Sequence, residues 1–238
     1  MRPSGLVYLT EDLEPSAGFY RFVPKVPGRL AEGGALFMLR VPGRPDLRRG
    51  VPLGERFAVE WVPIEHPDRG HDPATGRISG VHDQGIAAGG SRFTRLEGCF
   101  AADDAIYFTA TNGGSHAAGQ VFCYRPQEDS LEMVFQSVPE SMLHYPDNVC
   151  LSPRGGLLIC QDSPDGRQHL WGLTPDGGLF PFARNEVVLD GHAGFKGDFR
   201  RAEWAGACYS PDGRWLFANV YAPGISFAIT GPWREGWV

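Results

Sequence analysis

The fold is decided by a segment that occurs three times, in its clearest form as NVCLSPRGGLLI at residues 148–159. The same order of residue types returns as GCFAADDAIYF at 98–108 and as ACYSPDGRWLF at 207–217. Each copy has a cysteine, an apolar residue, a Pro-Arg-Gly, Asp-Asp or Pro-Asp-Gly turn and an apolar run, which together indicate a β-hairpin. Cys99, Cys150 and Cys208 lie 51 and 58 residues apart, close to the period of propeller blades.

Further strand-like runs follow the first two hairpins, such as QVFCY at 120–124 and LWGL at 170–173. Four strands per repeat, with no convincing amphipathic helix, predict an all-β chain and favour a β-propeller over a sandwich. We expect one domain with blade repeats near 97–145, 146–200 and 203–238, preceded by a partial blade at 5–40. Residues 41–78 break the repeat, and we interpret them as mostly a connection between blades.

The start of the chain matches only part of a repeat. LVYLTED at 6–12 aligns with the second strand of the 157–162 hairpin, LLICQD, and no first strand precedes it. The sequence therefore predicts about three blades, whereas closed propellers use four to eight. An incomplete ring with an open sheet edge at 6–12 favours association, with partner chains or as a homo-oligomer. The alternative is that the sequence is the C-terminal piece of something longer.

Charge and composition limit the classes of partner that the chain is expected to bind. The 238 residues carry 22 Lys and Arg against 28 Asp and Glu, so no excess of basic residues attracts nucleic acid or an anionic membrane. No apolar run approaches the ~18 residues of a membrane-spanning helix. Five cysteines without a C-x-x-C pair argue against a zinc knuckle and a closed disulfide framework. We expect neither nucleic acid nor a membrane as partner, and a small molecule as substrate.

The repeat brings several polar residues into alignment. Glu97 aligns with Asn148 just ahead of the repeated cysteine, Glu11 and Asp12 align with Gln161 and Asp162, and Glu203 precedes Cys208 by five positions. In a propeller, equivalent positions of the innermost strands face one central channel. Oxygen ligands arranged around a channel suit a hard cation such as calcium, or iron in an oxygen-rich site. The predicted metal ligands are Glu11, Glu97, Asn148, Asp162 and Glu203.

These residues also have simpler interpretations. Asp147 and Asn148 are typical of a turn after Pro146, and Glu203 is equally compatible with a solvated loop.

The sequence has no Gly-x-Ser-x-Gly element, which argues against a serine hydrolase.

Several longer strings point to one family. They are GLVYLTED at 5–12, GFYRFVP at 18–24, RFTRLEG at 92–98, PDN at 146–148 and FAITGPW at 227–233. With these blocks in this order, the chain resembles the PhoX-type alkaline phosphatases, in the C-terminal part of that family. The resemblance implies a six-bladed propeller, exported to the periplasm or beyond, that hydrolyses phosphomonoesters at a calcium and iron cluster in its channel.

The resemblance also implies residue roles. Arg95 and Glu97 match the Arg-x-Glu element, with Arg95 as the catalytic residue that clamps phosphate and Glu97 as a metal ligand. Glu11, Asn148 or Asp147, Asp162 and Glu203 match the remaining ligands. Gln161 replaces a more usual glutamate, so Asp162 is the expected ligand of that pair.

Two departures from the family bear on activity, Gln161 in place of the usual glutamate and the lack of the family's upstream half. The upstream half, which would carry a cysteine ligand to iron, has no counterpart here, so the resemblance implies an incomplete iron site. The alternatives are a calcium-dependent propeller lactonase, which gathers similar ligands but leaves Arg95 unexplained, and a truncated fragment without catalytic activity.

Overall fold

The computed structural model describes residues 5–70, 80–233 and 238. Residues 234–237 of the blade expected at 203–238 lie outside this range. The described part is all-β, with antiparallel sheets and little helix. None of its helices is long and apolar enough to cross a membrane.

The described residues form strands in the following order along the chain. They are β1 (Val7–Thr10), β2 (Phe19–Pro24), β3 (Gly34–Arg40), β4 (Arg56–Ala58), β5 (Glu60–Ile64), β6 (Leu96–Ala101), β7 (Ile106–Ala110), β8 (Gln120–Arg125), β9 (Ser130–Gln136), β10 (Pro146–Leu151), β11 (Leu157–Gln161), β12 (His169–Leu173), β13 (Leu179–Arg184), β14 (Val188–Asp190), β15 (Lys196–Asp198), β16 (Trp204–Tyr209), β17 (Leu216–Val220) and β18 (Ile225–Ile229). The helical elements are α1 (Val81–Ala87) and two 3-10 turns, Leu30–Glu32 and His192–Gly194.

Four of the sheets follow one another along the chain. Their strand orders are β1-β2-β3-β5, β4-β9-β8-β7-β6, β10-β11-β12-β13 and β16-β17-β18, and β14 pairs with β15 in a separate hairpin. The three hairpins of the repeat are β6-β7, β10-β11 and β16-β17, each antiparallel as the turn residues require. Within the described residues the sheets are stacked in series, and no closed ring is shown.

The segment interpreted as a connection contains strands. β5 completes the first sheet through β3, and β4 adds a fifth strand to the second sheet through β9. These two strands were not predicted within the connection at 41–78, because they are only three and five residues long and one contains Pro63. Residues 71–78 of that segment lie outside the described range. A short helix is also present: α1 packs on the first sheet, where Val81 and Ile86 cover Met38 and Val62.

Aromatic rings form the core between the first two sheets. Phe19 of β2 stacks on Phe108 of β7 with ring centroids 4.1 Å apart, and Phe108 stacks in turn on Phe122 of β8 at 5.3 Å. All three side chains are fully buried. Separate apolar clusters join the second sheet to the third and the third to the fourth. Alternate residues of each strand thus supply the contacts that hold neighbouring sheets together.

Removing a ring from this stack should cost stability. We expect Phe108→Ala to lower the free energy of unfolding by about 3–5 kcal/mol, because it leaves a cavity between two sheets. Phe217→Ala is the matched control, since Phe217 occupies the corresponding hairpin strand but is 42% exposed, and it should cost about 1 kcal/mol. Urea titration followed by circular dichroism measures both. Equal losses in the two variants would contradict the assignment of the core.

Candidate metal centre

Three strands begin with the same irregularity, and in two of them, β6 and β10, the bulge holds an acid. The pairing of β6 with β7 shifts between Leu96 and Cys99, and that of β10 with β11 shifts between Pro146 and Val149. The bulged residues are Glu97 with Gly98 in β6, and Asp147 with Asn148 in β10. A β-bulge turns the strand locally and redirects its side chains, which is why bulges are common beside functional sites.

The residues before the bulges fix which positions are equivalent. Arg95 and Tyr145 both have left-handed backbones, with φ of 39° and 55°, a conformation that residues other than glycine rarely adopt. The carbonyl of Arg95 accepts a hydrogen bond from the Thr111 amide, and that of Tyr145 accepts one from the Asp162 amide. Counting from these two residues, Glu97 is equivalent to Asp147.

This register corrects the sequence alignment, which placed Glu97 with Asn148. The alignment was anchored on Cys99 and Cys150, but the residue equivalent to Cys99 is Val149, one position earlier. Successive residues of a strand face opposite sides, so Cys99 and Cys150 do not occupy the same face of their strands.

Three carboxylates meet at the ends of the central strands. Asp147 lies in the bulge of β10, Asp162 directly follows β11, and Glu203 directly precedes β16. One oxygen of each lies within 4.8 Å of the other two. Hydrogen bonds hold the backbone at two of them: Asp162 donates from its amide to Tyr145 O over 3.0 Å, and Glu203 O accepts from the Tyr221 amide over 3.0 Å.

Glu97 extends this group on the side of the second sheet. Burial, followed by its hydrogen bond with Asp147, raises the pKa of Glu97 to about 8. Burial also raises the pKa of Asp147 and of Glu203, and neighbouring carboxylates add to both shifts. Carboxylates crowded in this way retain protons because negative charge there is not neutralised.

Arg95 is the cation at the edge of the group. Its Nε donates to Asp12 Oδ1 over 3.2 Å, and one terminal nitrogen donates to Glu97 Oε1. The Arg95 side chain is 28% exposed, so one side of the guanidinium faces solvent. The acid group and the arginine of the Arg-x-Glu element thus form one continuous polar surface.

Asp12 belongs to the site, although it was not among the predicted ligands. Thr10 Oγ1 donates to Glu97 O over 2.6 Å, as Thr109 Oγ1 donates to Asp147 O over 2.5 Å. β1 therefore lies against β6 as β7 lies against β10, and the position of Asp12 corresponds to that of Asp162. The alignment of Asp12 with Asp162 contained this signal, but Glu11 was chosen instead.

Glu11 and Asn148, the other predicted ligands, and Gln161 form hydrogen bonds with neighbouring segments. Glu11 Oε2 accepts from the Gly18 amide and the Tyr20 hydroxyl, each over 2.8 Å, so this carboxylate is directed toward β2. Asn148 Oδ1 accepts from the Gly206 amide over 2.7 Å and ties β10 to β16. Gln161 Oε1 accepts from the Trp171 indole over 3.1 Å.

The donor set fits a hard cation. Asp147, Asp162 and Glu203 offer only carboxylate oxygens, which calcium prefers. No cysteine belongs to a candidate metal group in the part of the chain that the structure describes. The chemistry of these three residues therefore matches calcium more closely than a thiolate-bound iron.

Comparisons with known proteins give one match of high coverage. The family model described as "Alkaline phosphatase PhoX" matches residues 2–224. The comparison with curated proteins gave no match. Among solved structures, the chain is similar to a putative 6-phosphogluconolactonase from Bacteroides uniformis ATCC 8492, with 14% identity and a TM-score of 0.43, over 100% of this chain and 68% of that one. A likeness of that size carries no argument about fold or function.

The crowded carboxylates should make the metal-free protein sensitive to pH. The pKa of Glu97 in the folded state, about 8, lies above its ordinary value of 4.5, so the folded state binds a proton that the unfolded state releases. The resulting stability is fully present below about pH 4.5 and is lost as the pH rises through about 8. We expect the melting temperature in chelator to fall from pH 5 to pH 8, and Glu97→Gln to reduce this fall.

Thermal melts followed by circular dichroism at several pH values measure the effect. Glu140→Gln is the control, because Glu140 is exposed and lies outside the acid group. The same pH dependence in wild type and Glu97→Gln would contradict the prediction.

Proposed function

Since the chain belongs to the PhoX alkaline phosphatase family, we propose that it is a metal-dependent phosphomonoester hydrolase. The observation that carries this proposal is the convergence of Asp147, Asp162 and Glu203 within 4.8 Å of one another, on a surface shared with Arg95. Carboxylates that bind a cation beside an arginine suit a phosphate dianion, which needs positive charge on several sides.

We propose that the stacked sheets are blades of a propeller. Two observations support this interpretation. The third sheet consists of four strands in chain order, β10 to β13, and the second sheet contains four in chain order, β6 to β9; after each set the chain continues into another sheet. On this proposal the repeats near 97–145, 146–200 and 203–238 are successive blades, and β1 takes the place of a second strand in a partial blade at 5–40. The acids then lie at one end of the innermost strands.

We assign Asp147, Asp162 and Glu203 as the ligands of a calcium ion. Glu97 forms a hydrogen bond with Asp147 and is a further carboxylate beside these ligands. A bound divalent cation would neutralise charge on the phosphoryl oxygens in the ground state and the transition state. Iron, as implied by the family, would need donors beyond these three; of the remaining predicted ligands, Glu97 and Asn148 contact Asp147, whereas Glu11 is directed toward β2.

Arg95 is proposed to bind the phosphoryl group. A guanidinium has five N–H donors in a planar fork and pairs with two phosphate oxygens at once. Asp12 and Glu97 hold it from two sides, and Thr111 Oγ1 donates to Glu97 Oε1 over 3.3 Å, which orients that carboxylate. These contacts fix the guanidinium before substrate arrives, so less conformational entropy is lost on binding.

The rival lactonase assignment explains the acids but not the arginine. A lactone ring carries no dianion, so it gives no reason for Arg95 to lie in contact with two carboxylates of the site. The phosphatase accounts for both features.

The test is turnover of p-nitrophenyl phosphate by the purified chain at alkaline pH, with and without added calcium and iron. We expect metal-dependent turnover that Asp162→Asn lowers by about 10–100-fold, because it removes one charged ligand. Asp165→Asn is the matched control, since Asp165 is three residues away and its side chain is 97% exposed.

The other outcomes separate the rival proposals. Folded protein without turnover at any metal concentration would contradict the phosphatase and support an inactive fragment. Hydrolysis of an aryl lactone in place of the phosphate ester would support the lactonase.

A further inference from the structure

A polar cleft lies directly beside the proposed phosphate site. It has a volume of about 440 Å³, and its lining includes Arg48, Arg49, Thr94 and Asn112. Thr94 immediately precedes Arg95, and Asn112 immediately follows Thr111, whose hydroxyl donates to Glu97. Two chain segments, at 94–95 and 111–112, therefore connect the lining of the cleft to residues of the site.

The cleft is built from paired side chains. Arg48 binds Asp46 through two nitrogens, at 2.9 and 2.6 Å, and donates from Nη1 to Pro15 O over 3.0 Å. Asn112 Nδ2 donates to Glu14 Oε1 over 2.9 Å, and Thr94 Oγ1 donates to Asn112 Oδ1 over 2.9 Å. These contacts hold the walls of the cleft in place, and they pair the charged groups of Arg48 and Glu14 with groups of the protein.

Arg49 differs from its neighbour. It lines the same cleft and is exposed, and no carboxylate among residues 5–70 and 80–233 forms an ion pair with it. The lining carries two arginines against one glutamate, and that glutamate is held by Asn112. Arg49 is therefore the cation of this cleft that is available to an incoming anion.

We propose that the cleft receives the organic part of the substrate and that Arg49 selects phosphomonoesters that carry a second anionic group, such as a carboxylate. The inference rests on the proposed function, since it takes the phosphoryl group to lie at Arg95. A substrate with two anionic ends would place one at the cation and Arg95, and the other at Arg49. Neutral alcohol esters would gain nothing from the second contact.

Two non-hydrolysable ligands of similar size test the proposal. Propylphosphonate has one anionic end, and 3-phosphonopropionate has a carboxylate at the other end as well. Binding of each to the full chain with calcium is measured by isothermal titration calorimetry. We expect the wild type to bind 3-phosphonopropionate about tenfold more tightly, the gain of one charge-assisted contact.

Substitutions locate the preference. Arg49→Gln should bring the ratio of the two affinities close to one, whereas Arg29→Gln, a surface arginine that pairs with Glu32, should retain the tenfold ratio. Equal binding of both ligands by wild type, or an intact preference in Arg49→Gln, would overturn the inference alone. If neither phosphonate binds to the folded, calcium-loaded protein, the proposed phosphate site and this inference are overturned together.

Discussion

The close approach of bulged strands from neighbouring sheets is the constraint on which the rest of the site depends. β6 and β10 pack so tightly at their bulges that a side chain on Gly98 would meet the backbone of Asp147 and Val149. Hydroxyl groups of β1 and β7 donate to the bulged carbonyls of β6 and β10, and Asn148 links β10 to β16. Carboxylates on consecutive sheets are thereby brought together despite their repulsion. Burial of the apolar clusters between consecutive sheets offsets this cost.

Electrostatics follows from this packing. Five carboxylates, on Asp12, Glu97, Asp147, Asp162 and Glu203, face one guanidinium, so the site carries excess negative charge. Without a cation, protons partly balance this charge, as the raised pKa of Glu97 indicates. Such a site is organised for a bound cation, because binding removes the repulsion that folding imposes. The excess of negative charge also explains why the Arg95 guanidinium contacts two carboxylates, those of Asp12 and Glu97.

The sequence predicted the hairpins because their turn residues and apolar runs are local signals. It also identified the family through several ordered blocks. Which acidic positions of the repeats are equivalent was harder to predict from the sequence. Anchoring the alignment on Cys150 paired Glu97 with Asn148, whereas the strand register pairs it with Asp147. Glu11 and Asp12 are adjacent and both acidic, and only their hydrogen bonds in the folded chain show that Asp12, and not Glu11, contacts Arg95.

Other features could not have been predicted from periodicity. β4 and β5 are short, and their pairing depends on β9 and β3, which are distant in sequence. The cleft at Arg49 results from loops of the first and second sheets that meet only in the folded chain. Their residues are common on protein surfaces, so no pattern in the sequence singled them out.

The most direct test of the account is the position of calcium in crystals of the full chain grown with that ion, recorded by anomalous scattering. The account predicts a peak between Asp147, Asp162 and Glu203, about 2.4 Å from one oxygen of each. A fully ordered site with no peak there, or calcium bound only at other carboxylates, would contradict the claim that these three residues form the metal centre.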